Sequence, residues 1–551
     1  MPLTYDDFKK LANGSDIRGV AVPGVEGEPV TLTPEAANRI AKGFVRLLTE
    51  KTGKKPAELQ IAVGHDSRIS ALAIKDCVLT GLTHTGAHGI DCVLASTPAM
   101  FMATIFEDTA ADGSIMITAS HLPYNRNGLK FFTAEGGADK ADIQKILAYA
   151  AEAEEAHGSL DNVLKFDLIG RYSEHLVKKI RAALGGADKE DIQKILAYAA
   201  EAKEAHGTLD HVLKFDLIGR YSEHLVNKIR TALGGVEKPL AGMHIVVDAG
   251  NGAGGFFAGR ILTPLGADTT GSQFLDPDGH FPNHIPNPED PAAMRAIKEA
   301  VIENDADLGL IFDTDVDRMS AVLADGTDVS RNALIAMMAA ILAPDYPGST
   351  IITDSVTSDG LTDFLENDLH LKHLRYMRGY KNVINECIRR NEAGEVSPLA
   401  IETSGHGALS ENYYLDDGAY LAVKLIIAAA KARAEGRTLA DLIADLRHPA
   451  EAREIRIKIL GQDDTKSYGK EVLAAFEERA RANGLTIASP SYEGVRIVMD
   501  GGWALLRMSL HDPNMPLNIE ADAEGGADAI ERIVKELLAG FDALDLSGFH
   551  V

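Results

Sequence analysis

Cysteine, tryptophan and net positive charge are all scarce in this chain of 551 residues. The three cysteines, Cys77, Cys92 and Cys387, make neither a disulfide framework nor a metal-binding spacing, which points to a reducing, intracellular setting. Lys plus Arg number 55 against 81 Asp plus Glu, a formal net charge of −26. Nucleic acid and anionic membrane surfaces would both repel such a chain. No apolar run approaches the ~18 residues of a membrane-spanning helix, and Met1 to Ala12 is polar where a secretory signal would be apolar. The expectation is a cytoplasmic protein with no nucleic-acid or membrane partner. An anionic small substrate stays compatible, provided that basic side chains gather locally.

The length is too great for one core and predicts roughly 3 to 4 domains. Near the N-terminus a helical pattern runs from Thr33 to Thr49, followed by an apolar run at Leu59 to Val63, a helix from Ala71 to Thr83, a strand near Ile90 to Leu94 and a helix from Pro98 to Phe106. This alternation predicts α/β layers, with Arg18 and Arg68 in loops at strand ends. Between two buried runs lies Ile117-Thr118-Ala119-Ser120-His121-Leu122-Pro123, with Lys130 ten residues after the serine. A serine is a weak nucleophile until a base, metal or cation activates it, so this loop needs parts from elsewhere in the chain.

Residues Gly136 to Leu184 and Gly185 to Leu233 are the same 49 residues twice, differing at six pairs: 141/190, 154/203, 159/208, 162/211, 178/227 and 182/231. Solenoids need at least ~3 copies, so the pair reads as a tandem duplication, each copy forming two helices (Asp139 to Ala156 and Phe166 to Leu184 in the first). Gly250, Gly252 and Gly255 then satisfy a dinucleotide-binding spacing after a strand. The stretch Thr263 to Phe274, broken by proline and glycine, makes a poor version of the second strand ending in an acidic residue that the fingerprint wants. A tight strand-to-helix turn is the plainer reading. Phe281 to Pro288 is an irregular, proline-rich loop.

The apolar strand Ala306 to Phe312 runs into Asp313-Thr314-Asp315-Val316-Asp317-Arg318. In extended backbone alternate residues share a face, so the three carboxylates would converge at the strand end as a hard oxygen site suited to Mg²⁺. A calcium-binding loop is excluded because its sixth position is Arg318 and its twelfth is Ala324, where glycine and glutamate belong. Arg318 beside such a metal suits phosphate chemistry. Further on, Tyr380 follows Arg378-Gly379, and Glu402-Thr403-Ser404-Gly405-His406 supplies short polar groups fit for sugar hydroxyls. The last ~100 residues carry an arginine and a serine on the loop Arg507-Met508-Ser509-Leu510-His511, a plausible phosphate cradle.

Taken together, these loops resemble the α-D-phosphohexomutase superfamily. The resemblance rests on Thr118 to His121, Asp313 to Arg318, Glu402 to His406 and Arg507 to Pro513, and spans the chain apart from one repeat copy. It implies an α/β protein of three related mixed α/β domains plus a smaller α+β C-terminal domain around one central cleft. The boundaries expected are 1–170 with the phosphoserine loop (repeat copies 136–184 and 185–233 at its junction with the next domain), 220–330 with the metal loop, 331–447 with the sugar loop and 448–551 for phosphate binding.

By the same resemblance Ser120 looks like the phosphoserine, and Asp313, Asp315 and Asp317 look like Mg²⁺ ligands together with the serine oxygen. Arg318, His121 and Lys130 match the family's groups for charge stabilisation and proton transfer. Arg18, Arg68, Tyr380, Glu402, Ser404, His406, Arg507, Ser509 and His511 match substrate-binding positions. The implied activity interconverts hexose 1-phosphate and hexose 6-phosphate through a bisphosphate intermediate, with Mg²⁺ as cofactor, hexose 1,6-bisphosphate as activator, and a monomer or homodimer as the assembly. Glucose, mannose and glucosamine phosphates all stay open as substrates, as does a non-catalytic sugar-phosphate-binding relative. Three departures stand out: Thr314 and Val316 occupy usual glycine positions, Leu122 replaces an asparagine, and Leu510 and His511 replace hydrogen-bond donors.

Overall fold

Alternating apolar strands and amphipathic helices assemble here into four sheets of four or more strands, covered by helices, beside a two-stranded parallel ladder of Asp161–Asn162 with Thr208–Leu209. The computed structural model describes residues 3–154, 161–162, 208–209, 212–509 and 513–551. In the first sheet the strand order is Ala12–Asn13, Asp16–Val20, Arg126–Thr133, Gly113–Ile117, Gln60–His65, His88–Leu94 and Val212–Lys214, with Gly136–Gly137 paired to Arg126–Thr133. Its centre is parallel (Ile61 opposite Gly113 and Gly89), while Gly113–Ile117 and Arg126–Thr133 run antiparallel with Ile117 opposite Leu129. The serine loop is the connection between those two antiparallel strands.

The helix Pro34–Thr52 is set by its ends. Thr33 accepts a hydrogen bond from the Ala36 amide, proline stands in the first turn, and Gly53 closes the helix at φ 72°. Its apolar stripe, including Ile40, Phe44 and Leu48, is buried against the first sheet, each such side chain contributing about 1.5–3 kcal/mol by leaving water. Helix Lys140–Glu152, begun by the Asp139 cap, packs on the same face through Ile143, Ile146 and Leu147.

The second sheet is Ile245–Asp248, Leu308–Phe312, Met319–Leu323 and Asp328–Val329; the third is Lys372–Arg375, Thr350–Thr353, Leu399–Ile401, Gly407–Leu409 and Leu415–Asp416. The fourth holds Thr486–Ile487, Val495–Met499, Gly502–Leu506, Asn514–Ala521, Glu451–Ile459 and Leu544–Asp545, antiparallel throughout. Among the described residues no helix is long and apolar enough to cross a membrane.

The duplication is used by halves. Helix Lys140–Glu152 comes from the first copy, whereas the edge strand Val212–Lys214 and the helix Leu217–Ala232 come from the second. The strand adds to the expected two helices of the second copy, lying just before the helix Leu217–Ala232: Val212-Leu213-Lys214 pairs in parallel with Gly89-Ile90-Asp91. Three residues are too few to show a strand period, so only a partner strand reveals it. Helix Leu217–Ala232 buries Leu217, Tyr221, Leu225 and Ile229, and the Tyr221 hydroxyl donates to Asp417 at 2.7 Å. Most of both copies' intervening residues lie outside the described set, including the first copy's expected second helix.

Candidate active site

Ser120 stands in the left-handed region at φ 52° and is 2% exposed. A non-glycine residue there is strained unless its surroundings hold it, and here they do. The Ser120 amide donates to Thr118 Oγ1 at 2.9 Å, and its hydroxyl donates to Asp313 Oδ2 at 3.1 Å with His121 Nδ1 3.2 Å away. Behind the loop lies Arg68, which donates to the carbonyls of Pro123 (2.8 Å), Arg126 (3.0 Å), Leu122 (2.7 Å) and Ser120. Its side chain is 0% exposed and sits 3.2 Å from Asp66. Arg68 therefore braces the serine loop from within and does not line the cleft, because its donors are directed at main-chain carbonyls and at Asp66.

The three aspartates do converge, with ligand oxygens within 4.8 Å of one another, but not as an extended strand end. The strand stops at Phe312, and residues 313–318 curl, with Val316 at φ 69°. Two glycines clamp that curl. A Cβ on Gly252 would stand 2.7 Å from the Thr314 carbonyl oxygen, and one on Gly418 would stand 2.7 Å from Arg318 backbone. The glycine run after Asp248 thus serves close packing on the acidic loop, which accounts for it without a nucleotide.

The carboxylates lie in a dense field of charge. Lys130 Nζ donates to Asp315 at 2.8 Å and to Asp317 at 2.5 Å, and Thr97 Oγ1 donates to Asp315 at 2.5 Å. Arg318, 1% exposed, spends its fork on four partners: Nε on Asp313 (3.2 Å), Nη1 on Asn287 Oδ1 (3.1 Å), and Nη2 on His121 Nδ1 and, at 3.4 Å, Ser120 Oγ. Burial, then the charges of Asp317 and Asp315, push the Asp313 carboxyl well above its usual range. Burial opposes the charge on Asp317, but Lys130, His406 and Arg318 hold it far below the usual carboxylate range. Burial and then Arg318 lower His121, keeping it neutral at ordinary pH. Asp315 Oδ1 and Asp317 Oδ1 are buried with no hydrogen-bond partner among the described residues. Orphaned hard oxygens in a three-carboxylate cluster fit a divalent cation such as Mg²⁺.

Around this centre stand the groups of the other sheets. Arg18 pairs with Asp16 at 2.9 Å, and its Nε lacks a partner among the described residues. The Tyr380 hydroxyl lies 3.0 Å from Ser15 Oγ and 3.3 Å from Asp16, and its ring stacks on His406 at 5.2 Å. His406 Nδ1 bonds Asp416 at 2.6 Å and lies 3.8 Å from Asp317. Burial disfavours its charge, yet Asp416 and Asp317 raise it to about 9. Glu402 accepts the Gly379 amide at 2.6 Å, and burial followed by the Asp354 charge lifts it to about 7.

Ser404 is buried beside Glu402. Arg507 is 6% exposed, 3.7 Å from Glu493, and Ser509 is half-buried after it. His511 and Leu510 lie outside the described residues. Thr97, Asn287 and Asp416 join the site without having been singled out in the sequence. Their polarity alone carried no signal, because their partners Asp315, Arg318 and His406 lie in other loops, 218 residues away for Thr97.

Three sequence families match the chain: Phosphoglucomutase/phosphomannomutase alpha/beta/alpha domain I over residues 9–157, domain II over 219–326 and domain III over 330–449. Among curated relatives, a phosphoglucomutase of Neisseria gonorrhoeae is 25% identical over 541 residues, covering 97% of each chain. A phosphomannomutase/phosphoglucomutase of Pseudomonas putida is 27% identical over 482 residues, covering 87% of this chain and 88% of the relative. The fold is also that of a phosphoglucomutase/phosphomannomutase family protein from Burkholderia thailandensis, with TM-score 0.69, 21% identity and 98% of each chain covered.

Proposed function

We propose a specific reaction for this chain, which belongs to the phosphoglucomutase/phosphomannomutase family: it interconverts hexose 1-phosphate and hexose 6-phosphate through a phosphoserine at Ser120. The observation that carries this is the Ser120 hydroxyl, 3.1 Å from Asp313 inside the three-carboxylate cluster, with Arg318 and His121 at its side.

Phosphoryl transfer asks a protein for in-line positioning and for cations around the equatorial oxygens. Asp313, Asp315 and Asp317 would hold Mg²⁺ together with the serine oxygen. Bound there, the ion supplies positive charge to the transferring phosphoryl group. Arg318, with Nη2 3.4 Å from Ser120 Oγ, would add its charge to the same group. Lys130, raised well above its ordinary value by Asp315 and Asp317 despite its burial, stays charged and balances the carboxylates. Neutral His121 is placed to exchange a proton with Ser120 Oγ. Glu402, Ser404 and Tyr380 read the sugar hydroxyls, and Arg507 with Ser509 holds the phosphate that does not react.

Ser120 gives its phosphoryl group to the free hydroxyl of the sugar phosphate, the bisphosphate turns round in the cleft, and Ser120 takes the other phosphate back. Hexose 1,6-bisphosphate primes the cycle. Glucose and mannose phosphates are the favoured substrates, since the relatives carry both names. Four domains around the cleft, 1–170, 220–330, 331–447 and 448–551, suit the four larger sheets once the first also takes in Val212–Lys214, which pairs into its sheet. Intact-mass spectrometry after incubation with glucose 1,6-bisphosphate and Mg²⁺ is expected to show one phosphoryl adduct that Ser120→Ala lacks. A Ser120→Ala protein with wild-type mutase activity would refute the assignment.

A further inference from the structure

Glu493 belongs to none of the motifs above, yet three elements converge on its carboxylate. Its Oε2 accepts the Ser355 hydroxyl at 2.6 Å and the Arg378 backbone N–H at 3.0 Å, and its Oε1 lies 3.7 Å from Arg507 Nη1. Ser355 follows the third-sheet strand Thr350–Thr353, Arg378 stands two residues before the helix Tyr380–Glu392, and Arg507 directly follows the fourth-sheet strand Gly502–Leu506. The next amide, Gly379, serves Glu402, so two successive N–H groups at that helix start hold carboxylates.

Arg507 is nine-tenths buried, and its Nε has no partner among the described residues. Its charge is disfavoured by burial and by Arg378, and favoured by Glu493. A hydroxyl, a main-chain N–H at a helix start and a guanidinium around one anion are the donors a phosphate monoester requires. Here a carboxylate of the chain itself takes them.

We propose that Glu493 occupies, in the substrate-free protein, the place of the substrate's non-reacting phosphate, and that the phosphate displaces it on binding. This rests on the assignment of Arg507 to that phosphate. The carboxylate supplies Arg507 with a counter-charge beside Arg378, whose own guanidinium pairs with Asp354 at 3.3 Å, and it lowers affinity for every anion that enters. Its position suits the movement. Glu493 lies in the connection between strands Thr486–Ile487 and Val495–Met499, next to Tyr492, which is 41% exposed. An exchange of one anion for another also suits a bisphosphate that must let go of Arg507 in order to turn round.

The test is Glu493→Gln, which keeps the shape and the accepting oxygen but removes the charge. The KM for glucose 1-phosphate and the inhibition constant for inorganic phosphate are both expected to fall about five- to tenfold. The rise in melting temperature produced by a fixed concentration of inorganic phosphate should be larger in the variant than in the wild type. That increment can be read even if the variant is less stable. Constants that rise or stay level, with an unchanged phosphate-induced increment, would overturn the self-competition. The Arg507→Ala variant separates the two assignments: if it binds inorganic phosphate as well as the wild type does, the role of Arg507 itself is wrong.

Discussion

Replacing Arg68 by lysine separates bracing of the serine loop from binding of substrate. The arginine fork reaches four carbonyls, those of Ser120, Leu122, Pro123 and Arg126. Lysine carries its donors on one nitrogen and cannot span that set, so at least two carbonyls lose their partner. Each buried acceptor left unpaired costs about 1–3 kcal/mol, which makes the loss about 2–6 kcal/mol. Asp66, raised to about 6 by burial against the opposing charge of Arg68, adds to the loss as its ion pair loosens.

For a folding unit of ~150–250 residues each kcal/mol moves Tm by about 2–4 °C, so a fall of at least ~4 °C is expected by calorimetry. Ser120 supplies one of the four carbonyls. Its oxygen therefore leaves alignment and kcat drops, while KM for glucose 1-phosphate stays within about twofold, the pattern of a lost transition-state interaction. A variant with unchanged Tm and a raised KM would refute the reasoning and return Arg68 to the cleft wall.

Val316, fully buried at φ 69°, gives an unusual ordering. At an ordinary buried position Gly is worse than Ala by roughly 1.5 kcal/mol, from a lost methylene and backbone entropy. Here relief of about 1–2 kcal/mol of left-handed strain should bring Val316→Gly level with Val316→Ala in denaturant unfolding, and a Gly variant at the full deficit would refute this. Glu402, at about 7 in the fold against 4.5 for an ordinary glutamate, binds its proton more tightly when folded. Its stabilisation is present below about pH 4.5 and lost as pH rises through 7. The Tm of wild type relative to Glu402→Gln should therefore decline between those values, and a constant gap would remove the linkage. Deleting 49 residues in register across the duplication should leave mutase activity and Tm near wild type, since closing the longer loop costs only about 0.6 kcal/mol per doubling. An inactive product would show that the surplus has joined the fold.

The loops legible in the sequence are those where polar residues break off a buried strand. Ser120, Asp313 to Arg318 and Glu402 to His406 announce themselves because burying them without a task is costly. What stayed hidden depends on partners far along the chain. Arg68 in sequence is a basic residue after a strand, and only the fold shows the carbonyls it serves. The curl of residues 313–318 could not be read as such either, because a threonine and a valine fill its turn and neither advertises a positive φ. Val212–Lys214 needed His88–Leu94 beside it before it could count as a strand at all.

The divided use of the duplication gives the protein a spare part. Ile146 in the first copy and Ile229 in the second are both fully buried core residues, and their counterparts Ile195 and Ile180 have the same adjacent residues in sequence. A lesion at Ile146 that would cost several kcal/mol in a singly encoded helix has an alternative here. Residues 189–201 repeat the sequence of that helix except at Glu190, so the chain carries a second candidate for the same groove, separated only by the small entropic difference between two loop lengths. Two routes through one architecture mean that inactivating substitutions in the duplicated helix should be partly silent one at a time and severe in pairs, a genetic buffering written into the chain itself.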